Sequence, residues 1–278
     1  MFSKILLTVD FDRTLTGPDS RIPQANLDAI EYFMANGGTF TVNTGRSTAT
    51  FWKYLDKIPA NAPYLLYNGS AAWEKGKLID LVPIDLEVWP TMEEVARRFP
   101  ELRLEIQGTH VHYLIDGQTD MVALYEKLGW RYEHAAWGQD VGPFLKFALF
   151  GPSRTPTVAD MYIGPEEELR RFDEAEQTIR ALYGDKVEVF RAAPRIIDVH
   201  AKGVSKLAAA RRLQKKLGKD LLICVGDGEN DAPMLDGADY AFCPADGVVA
   251  NRYPNVCNCG EGAVAEVILK KIPLILEK

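Results

Sequence analysis

The chain has 278 residues, 47% hydrophobic and 26% charged. That suits about two globular domains and excludes disordered, collagen-like and low-complexity classes. Lys and Arg number 32 against 39 Asp and Glu, a formal net charge of −7. Such a balance speaks against nucleic acid or an anionic membrane surface as partner, and an anionic substrate would need local cations or a metal. No apolar run approaches the ~18 residues of a membrane span. The opening segment Met1–Val9 is too short for a signal peptide and runs straight into Asp10, so a cytoplasmic protein is expected.

Residues 4–9 are a short apolar run ended by Asp10 and read as a buried strand. Pro23 opens a helix carrying Leu27, Ile30, Phe33 and Met34 on one face, and Gly37-Gly38 closes it. Thr39–Val42 is the next strand, Phe51, Trp52 and Leu55 suggest a helix, and Tyr64–Tyr67 a third strand. Strand alternating with helix is the signature of a parallel sheet covered on both faces.

Near Pro83 the pattern changes. Leu102–Ile106 and His110–Ile115 read as adjacent strands around Gly108. Asp120–Leu128 reads as a helix, Leu145–Phe150 as a strand and Glu166–Leu182 as a long helix, before a strand pair at Val187–Phe190 and Arg195–Val199. This implies an α+β unit with an antiparallel sheet. After Gly203 the first pattern returns: a helix at Val204–Leu217, strands at Leu221–Val225, Asp239–Phe242 and Val256–Cys257, and a helix at Ala263–Ile272. The expected organisation is a doubly wound α/β core, residues 1–82 and 201–278, with an α+β domain inserted at 83–200.

Open parallel sheets bind ligands beyond the carboxyl ends of their strands. At those ends stand Asp10-Phe11-Asp12, Thr44-Gly45-Arg46, Asn68-Gly69 and Gly226-Asp227-Gly228-Glu229-Asn230-Asp231. Taken singly, each aspartate could form a turn, Thr44 could cap a helix, and Lys206 could be one more solvated charge. Together, four carboxylates from two distant segments would repel one another unless a cation binds, and oxygen ligands with room for water and phosphate suit magnesium. A calcium loop is excluded because Ala232 and Ala238 stand where its glycine and closing glutamate belong. A dinucleotide fingerprint fails at Asp231. The close pair Cys257 and Cys259 lacks two further ligands for zinc.

The series Asp10-Phe11-Asp12-Arg13-Thr14-Leu15, Thr44-Gly45-Arg46, Gly203-Val204-Ser205-Lys206 and Gly226–Asp231 resembles the four motifs of the haloacid dehalogenase superfamily. The long insertion between the second and third motifs looks like that of the Cof-like phosphatases with a class II, type B cap. The resemblance implies a magnesium-dependent phosphomonoester hydrolase acting on a small phosphorylated metabolite. Asp10 would be the nucleophile that forms an aspartyl-phosphate, and Asp12 the general acid and then base. Thr44 and Lys206 would hold the phosphoryl group, with Gly45, Arg46, Asn68 and Asn230 as further substrate contacts. Asp10, Asp227 and the Asp12 carbonyl would bind the metal, with Asp231 acting through water or by orienting Lys206.

Arg13 stands where the family usually has glycine, which permits unusual dihedrals. In the insertion, Trp130, Tyr132, Trp137 and Lys146 are candidate specificity residues, and His110 and His112 could pair on a metal or form a polar sheet face. The resemblance leaves the substrate open among sugar, nucleotide and cofactor phosphates. A phosphomutase, a dedicated sugar-phosphate phosphatase and an idle phosphoryl-binding or signalling protein are the alternatives.

Overall fold

The computed structural model describes residues 1–115, 119–151 and 166–277. It divides into two compact units. One comprises Met1–Gly45, Lys53–Ile79 and Ser205–Lys278; the other comprises Arg46–Trp52 and Asp80–Val204. The short segment Arg46–Trp52 is separate in sequence from the rest of its unit.

The first unit is built on five parallel strands: β1 (Ile5–Val9), β2 (Thr39–Val42), β12 (Leu221–Val225), β13 (Tyr240–Pro244) and β14 (Asn255–Val256). Their order is β14-β13-β12-β1-β2. β1 and β12 lie inside the sheet and, apart from buried Thr8, are wholly apolar because both of their faces are covered. Leu6, Leu222 and Cys224 pack with Ala209, Ala210 and Leu213 of α6 (Lys206–Lys216) and with Met234 and Leu235 of α7 (Ala232–Asp236). Helix α1 (Gln24–Ala35) packs against β2 and α8 (Ala263–Glu266). The register pairs Val9 with both Val225 and Val42, so β1, β12 and β2 end side by side. Whatever follows those three strands therefore meets at one edge.

One expected member is absent from that ladder. Among the described residues β3 (Tyr64–Leu66) pairs with it through a single parallel bridge, Asn43 to Leu65, and instead heads a three-stranded antiparallel sheet with β4 (Ala71–Glu74) and β5 (Lys77–Ile79). The β4–β5 hairpin turns on Lys75 and Gly76, both at positive φ (49° and 85°), as a two-residue primed turn requires. Lys-Gly is a weaker sequence signal than Asn-Gly, and the flanking strands are short.

The second unit holds a six-stranded sheet, order β10-β11-β9-β6-β7-β8. Its strands are β6 (Arg103–Gly108), β7 (His112–Ile115), β8 (Tyr132–Ala135), β9 (Phe144–Phe150), β10 (Val187–Ala193) and β11 (Ile196–Ala201). One face presents Leu104, Ile106, Phe147, Leu149, Ile197 and Val199 to α3 (Trp89–Arg98) and α5 (Glu166–Tyr183). The other face carries buried polar groups: Glu105, Gln107, His112, Lys146, Asp198 and His200. The sheet is not wholly antiparallel as expected, because β7 and β8 run parallel. The helix between them, α4 (Thr119–Leu128), supplies the crossover that a parallel pair needs. The fold is thus an α/β parallel-sheet core with an added α+β unit.

Candidate active site

The shared strand edge positions the first set of residues. Asp10 is the first residue past β1, and its N–H donates to the Val225 carbonyl at 2.9 Å. Asp227 is the second residue past β12. Asn43 and Thr44 follow β2, with Asn43 N–H donating to the Val9 carbonyl and Thr44 N–H to the Leu65 carbonyl, both at 2.9 Å. Ser205 caps α6 through the N–H of Ala208 and so sets Lys206 at the helix start.

The side chains converge. Lys206 Nζ lies 2.5 Å from Asp10 Oδ1 and 2.5 Å from Asp231 Oδ1. Asp231 Oδ2 accepts the backbone N–H groups of Asp227 and Gly228, both at 3.0 Å. Thr14 Oγ1 donates to Asp227 Oδ1 at 3.0 Å. Asp10, Asp227, Asp231 and Lys206 are all buried.

Burial pushes the Asp10 carboxyl well above the usual carboxylate range; Lys206 opposes this and Asp231, Asp227 and Asp12 add to it. Asp227 is pushed up to about 7, by burial and then by Asp231, against the Thr14 hydrogen bond, Lys206 and Arg13. Burial works against the charge of Lys206, but Asp10 and Asp231 outweigh it and hold the ammonium above the ordinary lysine range.

Three buried carboxylates share one ammonium, and their oxygens lie within 4.8 Å of one another. This excess of buried negative charge, all of it hard oxygen, fits a divalent cation. Both oxygens of Asp231 already accept protein donors, so Asp10 and Asp227 are the better placed to ligate, and Asp231 orients Lys206.

Around the cluster the backbone is unusual. Between Asp10 and Thr16 the chain makes one wide turn, closed by Leu15 N–H to the Asp10 carbonyl at 3.1 Å and Thr16 N–H to the Phe11 carbonyl at 3.0 Å. Asp12 is half-buried in this turn, and Arg13 adopts left-handed dihedrals (φ 59°, ψ 13°). After β3, Tyr67 and Asn68 are both left-handed (φ 53° each), which is uncommon for a buried tyrosine. That turn brings Asn68 against Gly45, where an added Cβ would stand 2.8 Å from Asn68 Oδ1. Asn68 N–H donates to the Thr44 carbonyl at 2.9 Å. Asn230 is half-buried in the turn before Asp231.

Asp10, Asp12, Thr44, Gly45, Asn68, Lys206, Asp227, Asn230 and Asp231 thus belong to one unit, while Arg46 begins the segment of the other. Two contributors had no role in the sequence reading. Thr14 was legible only as a member of the first motif. Asn43, whose Nδ2 donates to the Lys206 carbonyl at 2.9 Å, was signalled only by its place at a strand end. The candidate specificity residues are occupied by packing. Trp137 stacks edge-on to Trp89, Trp130 to Tyr125, and Lys146 is buried in an ion pair with Asp198 at 3.2 Å.

The family model of the haloacid dehalogenase-like hydrolases matches residues 7–250. Among curated relatives, the 5-amino-6-(5-phospho-D-ribitylamino)uracil phosphatase YcsE of Bacillus subtilis is 24% identical over 84% of this chain and 80% of its own. Among solved structures, the haloacid dehalogenase subclass IIB sugar phosphatase BT4131 superposes with a TM-score of 0.76 at 20% identity, covering 97% of this chain and 99% of its own. A haloacid dehalogenase-like hydrolase from Bacteroides thetaiotaomicron gives 0.77 at 19%, over 96% and 98%. The chain belongs to the haloacid dehalogenase-like hydrolase family. It is an enzyme of that family, and its fold is that of the subclass IIB structure on which it superposes.

Proposed function

We propose that the enzyme is a Mg2+-dependent cytoplasmic phosphatase of small phosphomonoesters, sugar phosphates or similar metabolites. The observation that carries this reading is the buried Asp10–Lys206–Asp231 chain beside Asp227. Asp10 Oδ attacks phosphorus, the bond to the leaving oxygen breaks, and Asp12 delivers a proton to that oxygen. Water then attacks the aspartyl-phosphate, Asp12 takes its proton, and the Asp10–phosphorus bond breaks. Lys206 offsets charge on Asp10 and on the phosphoryl group. Thr44, Gly45, Arg46, Asn68 and Asn230 bind the phosphoryl oxygens. Asp10 and Asp227, with the Asp12 carbonyl, would hold Mg2+ directly and Asp231 would hold it through water; when bound, the ion would supply charge neutralisation in the transition state.

Two names support the substrate class: one relative is a phosphatase of a phosphoribitylamino compound and one structural neighbour a sugar phosphatase. The test is phosphate release from a panel of phosphoesters with Mg2+ and with EDTA. Release from sugar or polyol phosphates that stops reversibly in EDTA is expected. Equal turnover without metal, or by Asp10→Asn, would overturn the mechanism.

A further inference from the structure

Ser47 and His112 are 65 positions apart, each 1% exposed, and joined by a 2.5 Å hydrogen bond between Oγ and Nε2. The other imidazole nitrogen lies 2.7 Å from the Tyr125 hydroxyl and 3.4 Å from Glu105 Oε2. Gln107 Nε2 in turn donates to Glu105 Oε1. Hydroxyl, imidazole and carboxylate stand in the order of a hydrolytic triad. A nucleophile must be reachable, however, and Ser47 is sealed. Its Oγ also accepts the Thr50 N–H at 3.3 Å, as the cap of α2 (Thr48–Phe51).

The arrangement holds chain instead. Thr48 Oγ1 donates to the Thr109 carbonyl in the β6–β7 turn at 2.7 Å. The Arg131 guanidinium lies over the Trp52 ring, 5.2 Å from its centre. Three anchors thus fix residues 47–52 within their own unit. On the other side, Thr44 is fixed by its N–H to the Leu65 carbonyl and its carbonyl to the Asn68 N–H. The chain passes from one unit to the other between Gly45 and Arg46. Only Gly45 and Arg46 separate the anchored Thr44 from the anchored Ser47 along the chain, so what holds Ser47 acts within two residues of the Gly45–Arg46 peptide.

We infer that the Ser47–His112 hydrogen bond is a latch that sets the direction of the Gly45–Arg46 peptide, making His112 a positioning residue for phosphate binding. This rests on the phosphatase reading. The latch touches a segment that grips the phosphoryl group and not Asp10 or Asp12, so its loss removes binding common to substrate and product.

Calorimetric binding of inorganic phosphate in the presence of Mg2+, together with steady-state kinetics, tests it. Ser47→Ala and His112→Phe are each expected to raise KM and the phosphate Kd by about tenfold, with kcat within about threefold. Ser47→Thr, which keeps the hydroxyl, restores wild-type values. The double variant is no worse than His112→Phe alone, because both remove one interaction. Unchanged KM and Kd in Ser47→Ala, or additive effects in the double variant, overturn the latch. If His112→Phe does not fold, the Ser47→Ala and Ser47→Thr pair still decides. A wild-type protein that neither binds phosphate nor hydrolyses any phosphoester overturns the reading beneath it, and the latch with it.

Discussion

The Thr14 hydroxyl donates a 3.0 Å hydrogen bond to Asp227 Oδ1 across 213 positions of sequence, and both residues are buried. It ties the wide turn after β1 to the loop after β12. It also lowers the cost of charge on Asp227, whose carboxyl burial has raised to about 7. Thr14→Val keeps the shape and removes the donor. A hydrogen bond to a charged group contributes about 1.5–3 kcal/mol, so Mg2+ binding at pH 7 should weaken by at least about tenfold. Thr14→Ser should bind as wild type does. Calorimetric titration with Mg2+ checks both, and wild-type affinity in Thr14→Val would remove Thr14 from the site.

The same carboxyl makes metal-free stability depend on pH. Its pKa is about 7 in the folded chain against 3.8 unfolded. Because the folded value is raised, the stability it contributes is fully present below about 3.8 and is lost as pH rises through about 7. The shift corresponds to about 4 kcal/mol. A divalent cation binds the ionised form and restores what is lost. The melting temperature should therefore rise more on adding Mg2+ at pH 8 than at pH 5.5, and Asp227→Asn should flatten the difference. A Mg2+ effect larger at pH 5.5 contradicts this.

Lys206 and Lys215 lie on the same helix with opposite surroundings: Lys206 is 2% exposed between two carboxylates and Lys215 is exposed. Lys206→Met leaves Asp10 and Asp231 buried without their cation, a loss of about 3–5 kcal/mol. On the phosphatase reading kcat also falls by about 10²–10³. Lys215→Met should stay within about 0.5 kcal/mol of wild type. Equal denaturation midpoints for the two variants would mean the buried pair contributes nothing.

Legibility in the sequence followed the physics of each part. β1 and β12 are apolar runs ended by Asp10 and Gly226-Asp227, so strand and site were written in one stretch. The convergence of Asp10 with Asp231 follows from parallel order, which the strand–helix alternation announces. The β4–β5 hairpin was hidden because each strand is short and its turn is Lys75-Gly76. Lys146 read as a candidate specificity residue because nothing local reveals Asp198, which reaches it through strand pairing 52 positions away. His112 read as half of a metal-binding pair or as part of a polar sheet face; it lies on that polar face, and its partners Ser47 and Tyr125 were hidden because they come to it only through tertiary packing.

Arg13 offers a test of stored backbone strain. Its φ of 59° and ψ of 13° lie in the left-handed region, where a Cβ crowds the following carbonyl and glycine does not. Its N–H donates to Thr16 Oγ1 at 3.2 Å, which helps hold the turn in place. Its charge also stabilises the ionised forms of Asp227 and Asp246. Replacing Arg13 by Ala removes that charge and keeps the strain; replacing it by Gly removes both. Arg13→Gly should therefore be more stable than Arg13→Ala by about 1 kcal/mol, even though glycine gives the unfolded chain more freedom. Urea unfolding of the two variants, with Mg2+ present at a fixed pH, isolates the backbone contribution because both lack the guanidinium. An alanine variant as stable as the glycine variant would show that this turn relaxes without cost and that Arg13 is held there by its side chain alone.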